Sequence, residues 1–458
     1  MQYFTKYTVP NEFMVSLLMN HNNLQNIDDE NNSIHEDDTE SDNTQSSEED
    51  QRERRPFDVT LPPTHQYLRL NGTFFELDFS IQLNGNDDLP HSFKMEDAGK
   101  VITVSILEMP IVLLPTQLLP FHTDYPLLVS QLRHAAQENE YIALKPRLDY
   151  FDTDIATLIQ VRSLQENDGG ISVQAVGRQR CRILNRRSAI NGMPYGEVRV
   201  LEERELPSFS QMLMPASFAH MRPAKSLRYF AAMTAHSYHA LKISLTKYYI
   251  DEIAKWLYGW HVCEKVKRVL SQGPTALSYW VAANLPIDME MRLRLLDEPC
   301  TDRRLKDEYG IINQTNQTYG VTLREKDKKE LDQKIDVIVC KNCGTLLCNM
   351  SQMINVSIEG NSAHYVNPGG YVHDLFTVSE VVSTIARGIP SAECSWFPGY
   401  KWTIHECSHC GQHVGWRFTS SNLSPRSFFG LTRRSIRPAD SRRPITSTIQ
   451  RIEQLAII

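Results

Sequence analysis

A chain of 458 residues with 41% hydrophobic residues is long enough for two or three domains, each with an apolar core. Its net charge of −7 is concentrated: residues 28–55 hold twelve acidic residues and three arginines, −9 in all, so the rest carries +2, the difference between −9 and −7. Scattered basic residues on a nearly neutral remainder exclude the charged stripe of a nucleic-acid binder.

Residues 1–60 are polar and acidic, too poor in apolar side chains to offset the entropy of ordering, and are expected to form a disordered tail. The opening residues lack a basic segment followed by an apolar run, so no secretory leader is expected. Residues 61–207 have the pattern of short strands separated by turns, as in "FFELDFSIQL" (74–83), "VITVSILEMPIVLL" (101–114) and "GGISVQAVGRQRCRIL" (169–184). In the last, Val173, Ala175, Cys181 and Ile183 are inward candidates, and Gly177 between them predicts a bulge or tight bend. The apolar run 101–121 is broken by Glu108, Pro110, Pro115 and Pro120, so no membrane span is expected. One helix, 125–140, interrupts the strands.

From 208 to 320 the period is helical. Tyr249, Ile253, Trp256 and Trp260 fall on one face of a helix predicted to run to Gly273-Pro274. A helix pair follows, "ALSYWVAANL" (276–285), ended by Pro286, and "DMEMRLRLLDEPCTDRRLKDEYGI" (288–311), capped by Asp288. "AVGRQRCRIL", "LPIDMEMRLRLLDEPCTDRRL" and "MPIVLLPTQLLPF" resemble the N-terminal, substrate-associated domain of Lon proteases. A Lon enzyme also needs a G-x-x-x-x-G-K-[ST] loop and a Ser–Lys dyad in further domains. No such loop occurs in the sequence, so the expectation is a domain that binds and does not cut.

Residues 335–440 carry the chemistry, with 441–458 as a tail. Nine cysteines without secretory features favour metal over disulfides and a reducing compartment. Cys340-x-x-Cys343 and Cys407-x-x-Cys410 form two knuckles that together supply a tetrahedral, structural Zn²⁺ site. Four sulfur ligands leave no open position for water, which argues against hydrolysis. Cys348 and Cys394 remain, and a methionine sulfoxide reductase-like redox enzyme is the rival they raise. Neither is flanked by the basic groups that lower a thiol pKa.

Beside the second knuckle stand many aromatics. A hairpin with its midpoint between Ser408 and His409 would put Trp402 opposite Gly415. Tyr400, Trp402 and Ile404 would then share a face, as would Val414, Trp416 and Phe418. Trp396, in an exposed Pro-Gly turn, would close a three-walled slot over Phe418. Such a slot suits a flat neutral ring or a methylated ammonium, for which Glu393 is the nearby carboxylate.

"YVNPGGYVHD", "SWFPGYKWT", "CSHCGQHVGWRF" and "SPRSFFGLTR" closely resemble the cereblon family, substrate receptors of a cullin-4 RING ubiquitin ligase. The order of parts also matches: acidic tail, "FDVTLPPTHQYL", Lon-like region, C-terminal CULT zinc domain. The resemblance implies an α+β, multidomain chain. A mostly-β Lon N-terminal-like domain with a helical insertion would precede a zinc-stapled, all-β, β-tent-like domain. It implies a non-catalytic receptor, cytoplasmic and nuclear, with Cys340, Cys343, Cys407 and Cys410 on zinc. Trp396, Trp402 and Trp416 would wall a pocket for thalidomide-type glutarimides and for protein substrates bearing C-terminal cyclic imides. Phe418 would form its base, Tyr400 its rim and Asn367 the adjacent loop, while the segment 208–280 would dock on a β-propeller adaptor. Where the family commonly has histidine this chain has Cys394, and Gly369 is a second departure near the rim.

Overall fold

The computed structural model describes residues 54–61, 95–148, 152–167, 170–190, 192–205, 246–259, 263–316, 336–357 and 360–439, with a few single positions between 228 and 261. The acidic tail as far as residue 53, the strand at 74–83, Trp260, most of 208–245 and the tail 441–458 lie outside the described residues. Among the described residues no helix is long and apolar enough to cross a membrane.

The short strand β1 is Arg55–Pro56. Then come β2 (Val101–Met109), β3 (Leu118–Thr123), α1 (Pro126–Glu138), β4 (Ile142–Pro146), β5 (Ile155–Asn167), β6 (Gly170–Ile183), β7 (Arg187–Ser188) and β8 (Pro194–Val200). Helix α1 begins on Pro126, whose fixed φ suits the first turn, and stops where Asn139 turns left-handed at φ 53°. The strands run β3-β6-β5-β4-β2-β8-β7, and β6 also pairs with β8, so the sheet closes on itself. Val104, Ile106, Ala156, Leu158, Cys181, Ile183 and Val198 fill the ring, while Val173 and Ala175 join the core on its flank, beneath α1. Gly177 sits at the predicted bulge: the register jumps from Leu158↔Gln179 to Ile159↔Gly177. A Cβ there would lie 2.6 Å from the Leu114 carbonyl, so only glycine lets the 110–117 segment cross the sheet.

Five helices follow: α2 (Thr246–Tyr258), α3 (Cys263–Ser271), α4 (Pro274–Asn284), α5 (Met289–Asp297) and α6 (Thr301–Asn316). The long helix expected up to Gly273 is two. It breaks at Gly259, and Leu257 is fully buried beside Ile253 while Trp256 and Tyr249 pack at the cluster's margin. The helix expected over 288–311 is also two. Asp288 caps the first through the Met291 N–H at 2.8 Å. Pro299 ends it by forcing Glu298 out of the helical region, to φ −65°, ψ 112°.

The last region is all-β apart from single 3₁₀ turns: β9 (Val337–Cys340), β10 (Leu346–Asn349), β11 (Ser362–Val366), β12 (Val372–Val378), β13 (Thr384–Ser391), β14 (Lys401–Cys407), β15 (His413–Thr419), β16 (Leu423–Ser424), β17 (Ser427–Thr432) and β18 (Ile436–Ala439). A six-stranded antiparallel sheet, β11-β12-β17-β15-β14-β13, packs against a three-stranded one, β10-β9-β18. Ile338, Leu347, Phe376, Val378, Val414 and Leu431 fill the space between them. The other face of the larger sheet carries the aromatic cluster, and Phe57, brought in by β1 pairing with β16, packs edge-on against Tyr400 at 5.4 Å.

The β11–β12 hairpin joins this region to the Lon-like one. Val366 and Val372 enter the core that holds Leu119, Phe121 and Ala175. Buried Asp374 pairs with Arg292 of α5 and with Arg433 at 3.1 Å. Arg433 also donates to the carbonyls of Leu285 and Ile287 at the end of α4 (2.8 and 2.5 Å).

Candidate zinc staple and aromatic slot

The two knuckles are built alike. In each, the first cysteine ends a strand and its carbonyl accepts the N–H of a glycine just past the second. The distance is 2.9 Å for Gly344 to Cys340 and for Gly411 to Cys407. Both glycines have positive φ, 78° and 69°, the conformation that turns the chain back with both thiols on one side. Cys340 Sγ lies 3.7 Å from Cys410 Sγ, and Cys343 Sγ 3.5 Å from Cys407 Sγ. All four sulfurs lie within 4.8 Å of one another. Zn–S bonds of about 2.3 Å place tetrahedral sulfurs about 3.8 Å apart, so the four thiols fit Zn²⁺. Burial pushes the Cys340 thiol above its ordinary range, so proton release accompanies metal uptake.

The hairpin register differs from the sequence expectation. Trp402 pairs with Phe418 and Ile404 with Trp416, three residues away from the pairing that set Trp402 opposite Gly415. The reason is local. The knuckle turn extends to Gln412, whose carbonyl takes the Cys407 N–H, and the register slips by one between His405 and Glu406. That irregularity sends Val414 to the inter-sheet core while Trp416 and Phe418 face the aromatic cluster. Gly415 closes against β17, where a Cβ would meet the Gly430 carbonyl at 2.1 Å.

On that face Trp396, Tyr400, Trp416 and Phe418 are buried together, with Trp402 half-buried against them. Trp396, expected to be exposed in its turn, is only 6% exposed. Its indole N–H donates to the Val366 carbonyl at 2.7 Å, drawing the turn onto the β11–β12 hairpin. Its ring stands edge-on to Trp416 at 5.0 Å and lies 6.4 Å from Phe418. The Trp402 indole donates to the Glu393 carbonyl at 2.7 Å, so this wall holds the loop that carries Cys394. Tyr400 is buried within the aromatic cluster and not on an open rim: it is 1% exposed, and its hydroxyl donates to the Pro425 carbonyl at 2.7 Å. Asn367 organises the hairpin tip, its Oδ1 accepting the Tyr371 N–H at 2.8 Å. Gly369 lies in the same exposed tip.

Cys394 is half-buried in a left-handed conformation, φ 52°. Burial and the neighbouring Glu393 raise its pKa, and burial pushes Cys348 up to about 12. Neither has the lowered pKa of a redox nucleophile. Among the described residues, neither the Cys394 carbonyl nor the Trp396 N–H has a hydrogen-bond partner in the chain's backbone. An acceptor and a donor two residues apart thus lie beside the aromatic cluster, an arrangement that a planar ring with adjacent N–H and C=O can use.

One residue went unnoticed in the sequence. His373 packs 4.8 Å from Trp416 and 5.9 Å from Trp396. Burial lowers its pKa to about 3, and its Nε2 is enclosed without a partner among the described residues. Its alternation with Val372 and Asp374 along β12 was the available signal, readable only once that strand's two faces are known.

Comparison with known proteins agrees with this architecture. Residues 103–314 match the family described as the ATP-dependent protease La (LON) substrate-binding domain. Residues 336–445 match the Yippee zinc-binding/DNA-binding and Mis18 centromere-assembly family. The chain is 30% identical over 413 residues to protein cereblon of Gallus gallus, covering 83% of this chain and 85% of that one. It is 29% identical over 418 residues to the Xenopus tropicalis protein, with the same coverage. With the Danio rerio protein it shares 29% over 442 residues, 89% of this chain and 94% of that one. With a closed Lon-type sheet, a Yippee-type zinc centre and this extent of identity, the chain belongs to the cereblon family.

Proposed function

We propose that this protein is the non-catalytic substrate-recognition subunit of a cullin-4 RING ubiquitin ligase, working in cytoplasm and nucleus. Its slot takes cyclic imides, either free glutarimides of the thalidomide type or C-terminal cyclic imides on proteins. The segment 208–280 engages the β-propeller adaptor, and ubiquitin transfer occurs elsewhere in the assembly. The observation that carries this reading is the pair of unpartnered main-chain groups, the Cys394 carbonyl and the Trp396 N–H, beside Trp396, Trp402, Trp416 and Phe418. An imide N–H donates to the first, an imide carbonyl accepts from the second, and the ring lies against indole faces. The missing histidine side chain at position 394 removes one polar contact and leaves the main-chain acceptor.

The zinc centre supplies no chemistry to the ligand: bound Zn²⁺ ties the two knuckles and so fixes the hairpin register. Calorimetric titration of the zinc-loaded full chain with a simple glutarimide tests the reading. Binding is expected, and Trp402→Ala, which removes a wall and frees the Glu393 loop, weakens it by at least about tenfold, a loss of ~1.4 kcal/mol. Absence of heat with glutarimide, or undiminished binding by the variant, overturns the proposal. Heat with a trimethyl-lysine peptide instead identifies a methyl-lysine reader.

A further inference from the structure

Strand β13 ends the six-stranded sheet as a free edge. Among the described residues its one ladder neighbour is β14, and six of its eight residues are exposed. The Ser408 N–H donates to the Ser383 carbonyl at 2.9 Å, just outside Thr384↔Cys407, which marks that pair as a non-hydrogen-bonded one. Antiparallel ladders alternate, so Ile385 and Arg387 turn their main-chain groups to β14, while Thr384 and Ala386 turn theirs outward. No backbone group among the described residues meets those outward groups. Past Arg387 the chain bulges around Gly388, at φ 78°, and Pro390, and the strand ends with Ser391 opposite Trp402. Trp402 is also the wall of the slot that meets water. Trp396 and Trp416 are each 6% exposed and Phe418 is sealed, whereas Trp402 is half-buried. The free edge therefore leads away from the slot's exposed wall.

We propose that the outer edge of β13 takes up the chain of an imide-bearing protein substrate as an added parallel strand. This deepens the imide-binding reading and rests on it. A terminal imide seated in the slot leaves past the exposed wall as its own peptide chain. Strand β13 runs toward the slot from Thr384 to Ser391, and the substrate runs toward its C-terminal ring, so the two lie parallel. Ala386 pairs with His405 and Thr384 with Cys407, three and five ladder positions from Trp402. That is roughly 10–17 Å at about 3.3 Å per residue, so the substrate residues about four to seven before the ring lie along this edge. One of them sits beside Ile385, donating its N–H to the Thr384 carbonyl and accepting the Ala386 N–H. The residue two further on donates to the Ala386 carbonyl. Ile385 is 47% exposed, so an apolar side chain is favoured beside it. Nearest the slot the bulge, and Pro390 with no N–H to give, leave the substrate unpaired.

The test uses the zinc-loaded full chain, free glutarimide, and a short and a long peptide, of about two and about nine residues, ending in the same cyclic imide. The long peptide should bind at least about fivefold tighter than the short one, the net effect of one or two main-chain hydrogen bonds. A single N-methyl group moved along the long peptide should weaken binding at alternate positions only, because a strand turns every second N–H to its neighbour. Ala386→Pro, which removes one outward N–H and leaves the bonds of Ile385 and Arg387 to β14, should erase most of the long peptide's advantage. Free glutarimide should bind this variant as it binds the wild type. Should the variant fail to fold, the N-methyl series on the wild type still decides. If glutarimide binds but long and short peptides bind equally, or if N-methyl losses show no alternation, the added strand is overturned and the slot stands. A dimer of the free chain that Ala386→Pro dissolves assigns the edge to a second copy and overturns it likewise. If neither glutarimide nor any peptide binds, the slot reading falls and this inference with it.

Discussion

Gly415 shows how much a single missing Cβ decides. It stands at φ 153°, between the irregular turn of the second knuckle and Trp416, and a methyl group there would sit 2.1 Å from the Gly430 carbonyl. That neighbour is backbone in the adjacent strand and cannot rotate away. Gly415→Ala must therefore separate β15 from β17 or shift their register, and either change moves Trp416 and Phe418 together. The expected cost is about 2 kcal/mol or more in urea unfolding of the zinc-loaded protein, with a parallel loss of glutarimide affinity. An unchanged midpoint would mean that the two strands have slack the structure does not show.

The knuckle hairpin is the element on which the site depends, and it also marks where sequence reasoning stopped. The spacing of Cys340, Cys343, Cys407 and Cys410 was enough to assemble the staple, because C-x-x-C chemistry is local and each knuckle is self-contained. The strand register was not legible, since it depends on a turn extended to Gln412 and a slip beside Glu406. Neither leaves a mark in the alternation of aromatics. The Pro299 break was visible as a residue but not as a geometry. Burial of Tyr400 depends on Phe57 arriving from a distant strand. Under the proposed function, zinc acts on the aromatic cluster by fixing the hairpin register. Stripping zinc with a chelator, or Cys407→Ser, should abolish glutarimide binding although no sulfur touches the ligand, and should lower unfolding stability by several kcal/mol. Readdition of Zn²⁺ should restore binding to the chelated wild type. Retention of affinity in the metal-free protein would separate staple from slot.

At the scale of the whole molecule, the contact between the Lon-like and zinc-bearing regions is held by buried charge that no sequence window contains, since Arg292, Asp374 and Arg433 are far apart in the chain. Burial alone would raise Asp374, but Arg292 and Arg433 outweigh it and hold the carboxyl at about 2. Beside them His364 Nε2 has no hydrogen-bond partner among the described residues, while Nδ1 meets the Leu118 carbonyl at 3.0 Å, and burial lowers its pKa to about 4. The two groups lose stability in different windows. An unfolded histidine titrates near pH ~6.5. Between there and pH 4, therefore, the unfolded chain binds a proton that folded His364 refuses, and stability falls as pH drops. His373, lowered to about 3, acts in the same direction. The Asp374 contribution is intact above its unfolded pKa, near ~3.9, and is lost only as pH falls below that toward 2. Acid destabilisation should thus begin near pH 6, well above the carboxylate range. His364→Gln, which keeps a side-chain donor for Leu118, should lessen the fall in melting temperature between pH 6 and 4 and leave the part that His373 contributes. Asp374→Ala instead should lower stability at neutral pH by about 3–5 kcal/mol, because two arginines are left buried without their shared anion. Thermal melts of wild type and both variants across that range, with zinc retention followed in parallel, check the assignment. A wild-type profile flat down to pH 4 would contradict it.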